Sequence, residues 1–111
     1  MEDDLVAWGR IARLETRGRV TGRRVQAVVG FVEQPDGTLR VAAGSARADW
    51  ALNLLADPRC EVTIGTLRRS AVARELEGDE RAAAVRALIL KYGTPSEGLG
   101  SGPAFGVRFV D

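Results

Sequence analysis

The sequence predicts a mainly β domain of the α+β class: an antiparallel β-barrel with two or three flanking helices. Short runs of β-branched and apolar residues recur along the chain, and residues 25–32 form the strongest of them. Tight turn signals separate these runs. In Pro35-Asp36-Gly37-Thr38, proline presets φ and glycine supplies a positive φ. Such turns join antiparallel strands, which favours a sheet rolled into a barrel. A short helix between strands keeps a doubly wound parallel sheet as the alternative.

The first half of the chain is predicted to contain one helix and one pair of hairpins. Leu5, Trp8 and Ile11 recur at near-helical spacing. Glycines at positions 18 and 22 then bracket a turn. The predicted elements are a helix at residues 3–13, a strand at 13–17, a turn at 18–22, a strand at 25–32 and its hairpin partner at 39–43.

The second half contains two predicted helices, and the later one has the clearest amphipathic pattern. Asp79 is the predicted N-cap of that helix, and Gly93 is predicted to follow its last turn. Its predicted apolar stripe consists of Ala82, Val85, Leu88, Ile89 and Tyr92. The predicted elements are a helix at residues 49–56, strands at 60–64 and 69–76, a helix at 78–92, a loop at 93–103 and a final strand at 104–110.

The composition limits the chemistry that is available to this chain. Its 111 residues, 45% apolar and 28% charged, fit one globular domain at residues 1–111. The sequence has no histidine, which excludes Ser-His-Asp and Cys-His catalysis and histidine metal ligands. Cys60 is the sole cysteine, which excludes an internal disulfide and a cysteine metal cluster. An enzyme built from this chain would therefore take its reactivity from a bound cofactor.

Charge and hydropathy bear on location and partners. No apolar run approaches the roughly 20 residues that span a bilayer. The first residues, Met1-Glu2-Asp3-Asp4, are acidic, unlike the basic start of a secretory signal. We therefore expect a cytoplasmic protein without a transmembrane segment. The net charge of +1 argues against general nucleic-acid binding. The clustering of arginines between residues 10 and 24 keeps such binding as a further alternative, one that would be strongly salt-dependent.

Two segments have the residue types that hold an anionic ligand. In residues 16–24, two glycines let the backbone approach a ligand, Thr21 adds a hydroxyl, and the arginines offer forked donors for phosphate or carboxylate. The alternative is a solvated hairpin. In residues 42–47, small residues at a strand end precede a helix, where backbone N–H groups can bind a phosphate or a ring carbonyl. The alternative is an ordinary connector.

The glycine-rich loop at residues 93–103 is a third candidate segment. It carries or adjoins polar side chains that would suit a lid over a pocket, namely Tyr92, Thr94, Ser96 and Ser101. The loop would equally suit a plain connector. Trp50 would suit the flank of a flat ring or the core. Cys60 has no activating neighbour in the sequence, and we interpret it as a packing residue.

Taken together, these segments resemble the deazaflavin (F420)-dependent nitroreductase family, a branch of the flavin split-barrel proteins. The similarity covers roughly residues 14–90 in the same order. Its most specific part is the string Trp50-Ala51-Leu52-Asn53-Leu54-Leu55-Ala56-Asp57-Pro58. The glycine-arginine turn at residues 16–23 comes second.

The resemblance implies an FMN-binding split-barrel-like fold that binds reduced F420 and passes a hydride to a quinone, a nitro compound or a similar small acceptor. It implies that the turn contacts the cofactor phosphate and tail, and that the segment after the 41–43 strand lies against the deazaflavin. It assigns no catalytic residue. The residues that it assigns to cofactor binding are Arg19, Thr21, Gly22, Arg23, Arg24, Ala43, Gly44, Ser45, Arg47, Trp50 and Asn53.

Two departures from the family pattern leave other functions open. Val20 stands where the family usually has a lysine, and Val25 where a further basic residue usually follows. An oxidoreductase that binds FMN on the same fold, and a non-catalytic cofactor- or ligand-binding protein, therefore remain as alternatives. A homodimer also remains open, because so small a barrel leaves apolar faces that a second copy can cover.

Overall fold

The computed structural model describes residues 2–93 and 101–110. Over these residues it contains three helices and seven strands. The helices are α1 (Glu2–Ala7), α2 (Asp49–Ala56) and α3 (Gly78–Tyr92). The strands are β1 (Ala12–Arg17), β2 (Arg24–Val29), β3 (Val32–Glu33), β4 (Leu39–Ala42), β5 (Arg59–Ile64), β6 (Leu67–Leu76) and β7 (Ala104–Phe109). All pairings are antiparallel. The predicted class is confirmed, and the parallel alternative is wrong.

The seven strands form one sheet in the order β2-β1-β5-β6-β7-β4-β3. Its two edge strands, β2 and β3, are consecutive in the chain and are separated only by Gly30 and Phe31. Two residues reach about 7 Å, so the sheet must curl until its edges nearly meet. The predicted single strand at residues 25–32 is therefore one bent segment that pairs with β1 at one end and with β4 at the other.

The C-terminal end of α3 packs against the junction between β2 and β3, which we call the seam (Gly30 and Phe31). The Tyr92 hydroxyl accepts a hydrogen bond from the Phe31 N–H at 2.9 Å and donates to the Arg10 carbonyl at 2.8 Å. A Cβ on Gly30 would lie 2.8 Å from the Tyr92 ring, so only glycine lets this ring approach. The Lys91 ammonium donates to the Phe31 carbonyl at 2.6 Å. These contacts hold the two edges of the sheet together.

The hydrophobic core lies inside the curled sheet. Alternate residues of β1 and β4 point inward, as their alternating burial shows. Trp50 of α2 covers one side of the core, and its ring packs on Phe105 at a centroid distance of 5.9 Å. Side chains that are essentially inaccessible to solvent include Leu14, Thr16, Asn53, Leu76, Phe105 and Val107. Trp50 is therefore a core residue.

Two helix predictions need correction. The first helix ends at Ala7 instead of continuing to residue 13, because Gly9 takes a positive φ of 75° and the chain turns into β1. The last helix has the predicted bounds, but Glu77 precedes its first turn where Asp79 was expected, and no side chain caps it. Gly93 follows it with a left-handed φ of 83°, as predicted.

The apolar stripe predicted for α3 is also wrong in part. Ala84 and Leu88 are the buried residues of this helix, whereas Ala82 is exposed and Tyr92 is 39% exposed. A run of apolar residues at the end of α3 makes the stripe ambiguous, so the sequence alone did not indicate which face meets the sheet. Among the described helices, none has the length and apolarity that a membrane crossing requires.

Candidate functional site

The turn between β1 and β2 is a closed loop whose two glycines are both required. The Gly18 N–H donates to the Arg23 carbonyl at 2.7 Å, and the Gly22 N–H donates to the Gly18 carbonyl at 2.9 Å. A Cβ on Gly18 would lie 2.9 Å from the Arg23 carbonyl oxygen. Gly22 takes a positive φ of 75° that other residues rarely adopt. The Thr21 hydroxyl accepts from the Arg23 N–H at 3.2 Å. This bonding presents Thr21, Gly22 and Arg23 to solvent.

A buried asparagine fastens this turn to α2. The Asn53 side-chain carbonyl accepts from the Arg19 N–H at 3.1 Å and from Arg19 Nη1 at 2.8 Å. Its amide donates to the Thr16 hydroxyl at 3.1 Å. Asn53 is 1% exposed and Thr16 is 2% exposed. We call these three residues, Thr16, Arg19 and Asn53, the Asn53 clamp, because they fix the turn on the helix.

The arginines of the turn divide into engaged and available side chains. Arg19 Nη2 lies 3.2 Å from Asp49 Oδ1, so its guanidinium is occupied by α2. Arg24 Nη1 lies 3.1 Å from Glu15 Oε2 and 2.5 Å from Glu61 Oε2, so Arg24 belongs to an ion-pair cluster on the outer face of the sheet. The exposed guanidinium of Arg23 has no hydrogen-bond or ion-pair partner within the described part of the chain. Arg23 is therefore available to a ligand, and so is the exposed Arg17 at the end of β1, which also has no partner among the described residues.

The segment between β4 and α2, which we call the connector (residues 43–48), begins in the core and then emerges. Ala43 is buried, and its N–H donates to the Pro103 carbonyl at 2.9 Å. The Ser45 backbone packs closely on Gly102: a Cβ on Gly102 would lie 2.5 Å from the Ser45 carbonyl oxygen. The Ser45 hydroxyl accepts from the Arg47 N–H at 3.0 Å. The connector is therefore anchored at its start and exposed from Gly44 to Arg47.

The connector contains three free backbone N–H donors shortly before α2. The N–H groups of Gly44, Ser45 and Ala46 donate to no acceptor among the residues that the structure describes. Ala48 occupies the N-cap position of α2 without a capping side chain. The exposed Arg47 guanidinium has no partner among residues 2–93 and 101–110. Successive free backbone N–H groups in a loop, together with a nearby cation, suit an anion.

The turn and the connector border the same end of α2. Arg19 contacts Asp49, the first residue of α2, and the connector ends one residue earlier. Both the Asp49 carbonyl and its carboxylate accept from Arg19. Of the predicted site residues, Thr21, Gly22 and Arg23 lie exposed in the turn, and Gly44, Ser45 and Arg47 lie exposed in the connector. Ala43, Trp50 and Asn53 support this region from the buried side.

On its other side, the turn borders an outer groove that sequence reasoning missed. The groove has a volume of about 550 Å³, and its lining includes Arg17, Gly22, Arg59 and Ser70. The register pairs Arg17 with Arg24 across the turn, so the hairpin pattern alone could have placed Arg17 beside the turn. No local signal indicated Arg59, which reaches the groove through the pairing of β5 with β1.

Around the outer groove, the structure favours the charged form of two carboxyl groups and the neutral form of one thiol. Hydrogen bonds from Arg59 lower the pKa of Asp57 to about 2. A hydrogen bond from Arg68 lowers the pKa of Glu61 below its usual range. Burial raises the pKa of the Cys60 thiol to about 11, which keeps it protonated and unreactive, as a packing role requires.

Over the described residues, no cluster of three or more potential metal ligands occurs. Of the polar residues predicted for a lid, Thr94 and Ser96 lie outside the described residues.

Comparison with known proteins gives one family and one fold. A family model described as F420H(2)-dependent quinone reductase matches residues 6–95. The solved structure of an F420-H2 dependent reductase, FDR-A, is 25% identical over 89% of this chain and 94% of that chain, with a TM-score of 0.73. A structure described as a domain-swapped dimer is 23% identical over 96% of this chain and 92% of that chain, with a TM-score of 0.73.

A more distant neighbour shows the fold alone. The heme storage protein HutZ from Vibrio cholerae is 19% identical over 98% of this chain and 87% of that chain, with a TM-score of 0.70. The curated proteins include no significant match to this sequence.

Proposed function

The chain belongs to the F420H2-dependent quinone reductase family, and from this premise we propose that it transfers a hydride from reduced F420 to a quinone, a nitro compound or a similar small acceptor. The family establishes the dependence on F420 and the reductase class. The acceptor and the residues that hold the cofactor are our proposal. The observation that carries it is the fastening of the turn to the N-terminal end of α2 by Arg19 and Asn53.

The residues at this end of α2 fit an anionic, ring-bearing cofactor. Arg23 and the exposed backbone of Thr21 and Gly22 would hold the phosphate and acidic tail of F420. The free N–H groups of Gly44 and Ser45 would face the polar edge of the ring system. Arg47 would supply a second cation. Reduced F420 supplies the hydride when it is bound, which suits a chain without histidine.

The chain's own contribution is orientation. The Asn53 clamp fixes the turn, and the packing of Ser45 on Gly102 fixes the connector, so both would meet the cofactor without large rearrangement. Arg19 acts as a positioning residue in this proposal, because Asp49 and Asn53 already occupy its donors. Arg24 acts outside the site, in its cluster with acidic residues. We assign no side chain as an acid or base, and protonation of the product is left to solvent.

Titration of F420 fluorescence with the purified protein tests cofactor binding. Arg23→Gln and Arg47→Gln should each weaken F420 binding by about tenfold, the scale of one lost hydrogen bond to a charged group. Arg108→Gln is the matched control, because Arg108 is exposed on β7 and has no partner within the described residues. Unchanged affinity in both site variants would contradict the assignment of these residues.

Turnover distinguishes the reductase from a non-catalytic binding protein. That second function is favoured by one observation: Arg19 and Arg24 are engaged within the protein, which leaves few free cations for the cofactor. A reductase should oxidise F420H2 with a quinone such as menadione or with a nitroaromatic compound. A binding protein would quench F420 fluorescence without turnover of either acceptor. A yellow protein with a flavin spectrum on purification would instead indicate FMN.

A further inference from the structure

The short segment before β7, residues 101–103, contacts both the connector and α3. Gly102 is its buried member. A Cβ on Gly102 would lie 2.5 Å from the Ser45 carbonyl oxygen and 3.0 Å from the Ala43 carbonyl oxygen. Gly102 is not among the glycines with a positive φ, so its backbone conformation is open to other residues. Contact with the connector is therefore what requires a glycine at this position.

The carbonyl of Gly102 is held by α3. It accepts a hydrogen bond from Arg81 Nη2 at 2.6 Å. In the next peptide, the Pro103 carbonyl accepts from the Ala43 N–H at 2.9 Å. Hydrogen bonds from a charged donor are among the stronger ones in proteins. Arg81 thus fixes the orientation of the Gly102 peptide, and Gly102 limits how closely the connector can approach it.

Contact with Gly102 also sets the direction of two connector N–H groups. In a trans peptide, the carbonyl and the N–H that follows it point in opposite directions. The carbonyl oxygens of Ala43 and Ser45 lie against Gly102. The N–H groups of Gly44 and Ala46 therefore point away from it, on the exposed side of the connector. Neither N–H has an acceptor within the described part of the chain.

We propose that Gly102 and Arg81 are positioning residues of the cofactor site. Together they direct the N–H groups of Gly44 and Ala46 at a carbonyl oxygen on the polar edge of the deazaflavin ring. Neither residue contacts the cofactor, and each acts through the connector. Donors that are already oriented need no ordering when the ligand binds, so more of their interaction energy appears as affinity. This inference rests on the proposed function.

Gly102→Ala changes the spacing between residues 101–103 and the connector. Non-bonded heavy atoms keep about 3.5 Å between them, so the connector must move by about 1 Å to accommodate the methyl group. F420 binding should weaken by about tenfold, the scale of one lost hydrogen bond. Turnover with menadione should fall by about 100-fold, because hydride transfer requires accurate placement of the ring. Gly106→Ala on β7 is the matched control, since its Cβ would meet only a Leu76 side-chain carbon at 3.4 Å.

Variants of Arg81 test the same contact from α3. Arg81→Met keeps an apolar stem but removes the donor to Gly102, and it should weaken F420 binding by about threefold to tenfold. Arg81→Lys should restore most of the affinity, because an ammonium can donate to the same carbonyl. Arg86→Met is the matched control on α3, because Arg86 is exposed and has no partner among the described residues.

A fragment of the cofactor separates positioning from a general loss of stability. The deazaflavin-ribityl fragment of F420 lacks the phosphate and the tail, so its binding depends on the connector and not on the turn. Gly102→Ala should weaken the binding of the fragment and of F420 by the same factor, whereas Arg23→Gln should weaken the binding of F420 alone. A variant that has only lost stability should bind both normally well below its Tm.

The possible outcomes distinguish this inference from the proposed function. A wild type that binds neither F420 nor the fragment would remove both. A wild type that binds F420 but not the fragment, or wild-type affinity in both Gly102→Ala and Arg81→Met, would overturn the inference alone. NMR of the labelled proteins without ligand should show the amide signals of Gly44 and Ala46 displaced in both variants, and unchanged signals would also overturn it. Where Gly102→Ala does not fold, Arg81→Met and its lysine rescue decide.

Discussion

The Asn53 clamp leads to a prediction that separates structure from function. In Asn53→Ala, the Thr16 hydroxyl loses its donor, and the Arg19 N–H and guanidinium lose their acceptor. Thr16 is 2% exposed, so water does not replace the lost bond. The helix itself gains slightly, because alanine is a better helix former than asparagine. The variant thus leaves two polar groups without partners, the Thr16 hydroxyl and the Arg19 N–H, while the Arg19 guanidinium keeps its contacts with Asp49.

The magnitude follows from these contacts. A buried polar group without a partner costs about 1–3 kcal/mol. Two such groups, of which Arg19 is partly solvated, give a net loss of about 2–3 kcal/mol in the free energy of unfolding after the gain in helix propensity. In a domain of 111 residues, each kcal/mol lowers Tm by about 4 °C, so Tm should fall by about 8–12 °C. Without the clamp, the turn should also bind F420 about tenfold more weakly, because binding must then order it.

Chemical denaturation, thermal melting and F420 titration measure these effects. Leu55→Ala is the control on the same helix, since Leu55 is 48% exposed, and it should change the free energy of unfolding by less than about 0.5 kcal/mol. A double-mutant cycle of Asn53→Ala with Thr16→Val should give a coupling energy of about 1 kcal/mol. An Asn53→Ala protein with wild-type stability and wild-type F420 affinity would refute the clamp.

Three other predictions concern acid stability, thiol reactivity and the seam. Hydrogen bonds from Arg59 lower the pKa of the folded Asp57 carboxyl to about 2, from 3.8 in the unfolded chain, so the unfolded chain binds the proton first, and stability should fall between about pH 4 and pH 2. Asp57→Asn keeps one acceptor oxygen for Arg59 but removes the charge and the bond through the second oxygen, so it should flatten that part of a Tm-against-pH curve. Cys60, whose thiol has a pKa of about 11, should react with Ellman's reagent at pH 8 only after denaturation, and rapid labelling of the native protein would contradict its burial. Gly30→Ala should lower the free energy of unfolding by more than about 1 kcal/mol, because its Cβ would lie 2.8 Å from the Tyr92 ring. In a Tyr92→Ala background, the same change should cost less. Denaturation of the wild type, the two single variants and the double variant measures both effects.

Local sequence signals predicted the hairpins and the two later helices well. Gly22 and Gly37 take positive φ values that other residues rarely adopt, and Pro35 fixes its own φ, so the chain has few alternatives in these turns. Asp49–Ala56 and Gly78–Tyr92 have the predicted bounds because Asp57-Pro58 and Gly93 end them. Where glycine or proline fixes the backbone at a turn or at the end of a helix, the sequence is sufficient to predict that feature.

Pairings between distant segments could not be predicted in the same way. The last strand, β7, inserts between β4 and β6, and no turn signal encodes that choice. The seam depends on Tyr92 reaching Gly30, and the sequence shows only an aromatic residue at the end of a helix. Likewise, the composition of the turn did not show that Arg19 and Arg24 would be engaged by Asp49 and by acidic strand residues. These outcomes depend on which side chains the curled sheet brings together.

β7 inserts between β4 and β6, which are synthesised before it, and this order has a consequence for biosynthesis. On the ribosome, β4 and β6 emerge long before residues 104–109. Until those residues leave the exit tunnel, both strands keep an unpaired edge, and the nascent chain cannot complete its barrel. The barrel therefore closes only after β7 has emerged, and the interval before that is when chaperones would have the most exposed strand edge to bind.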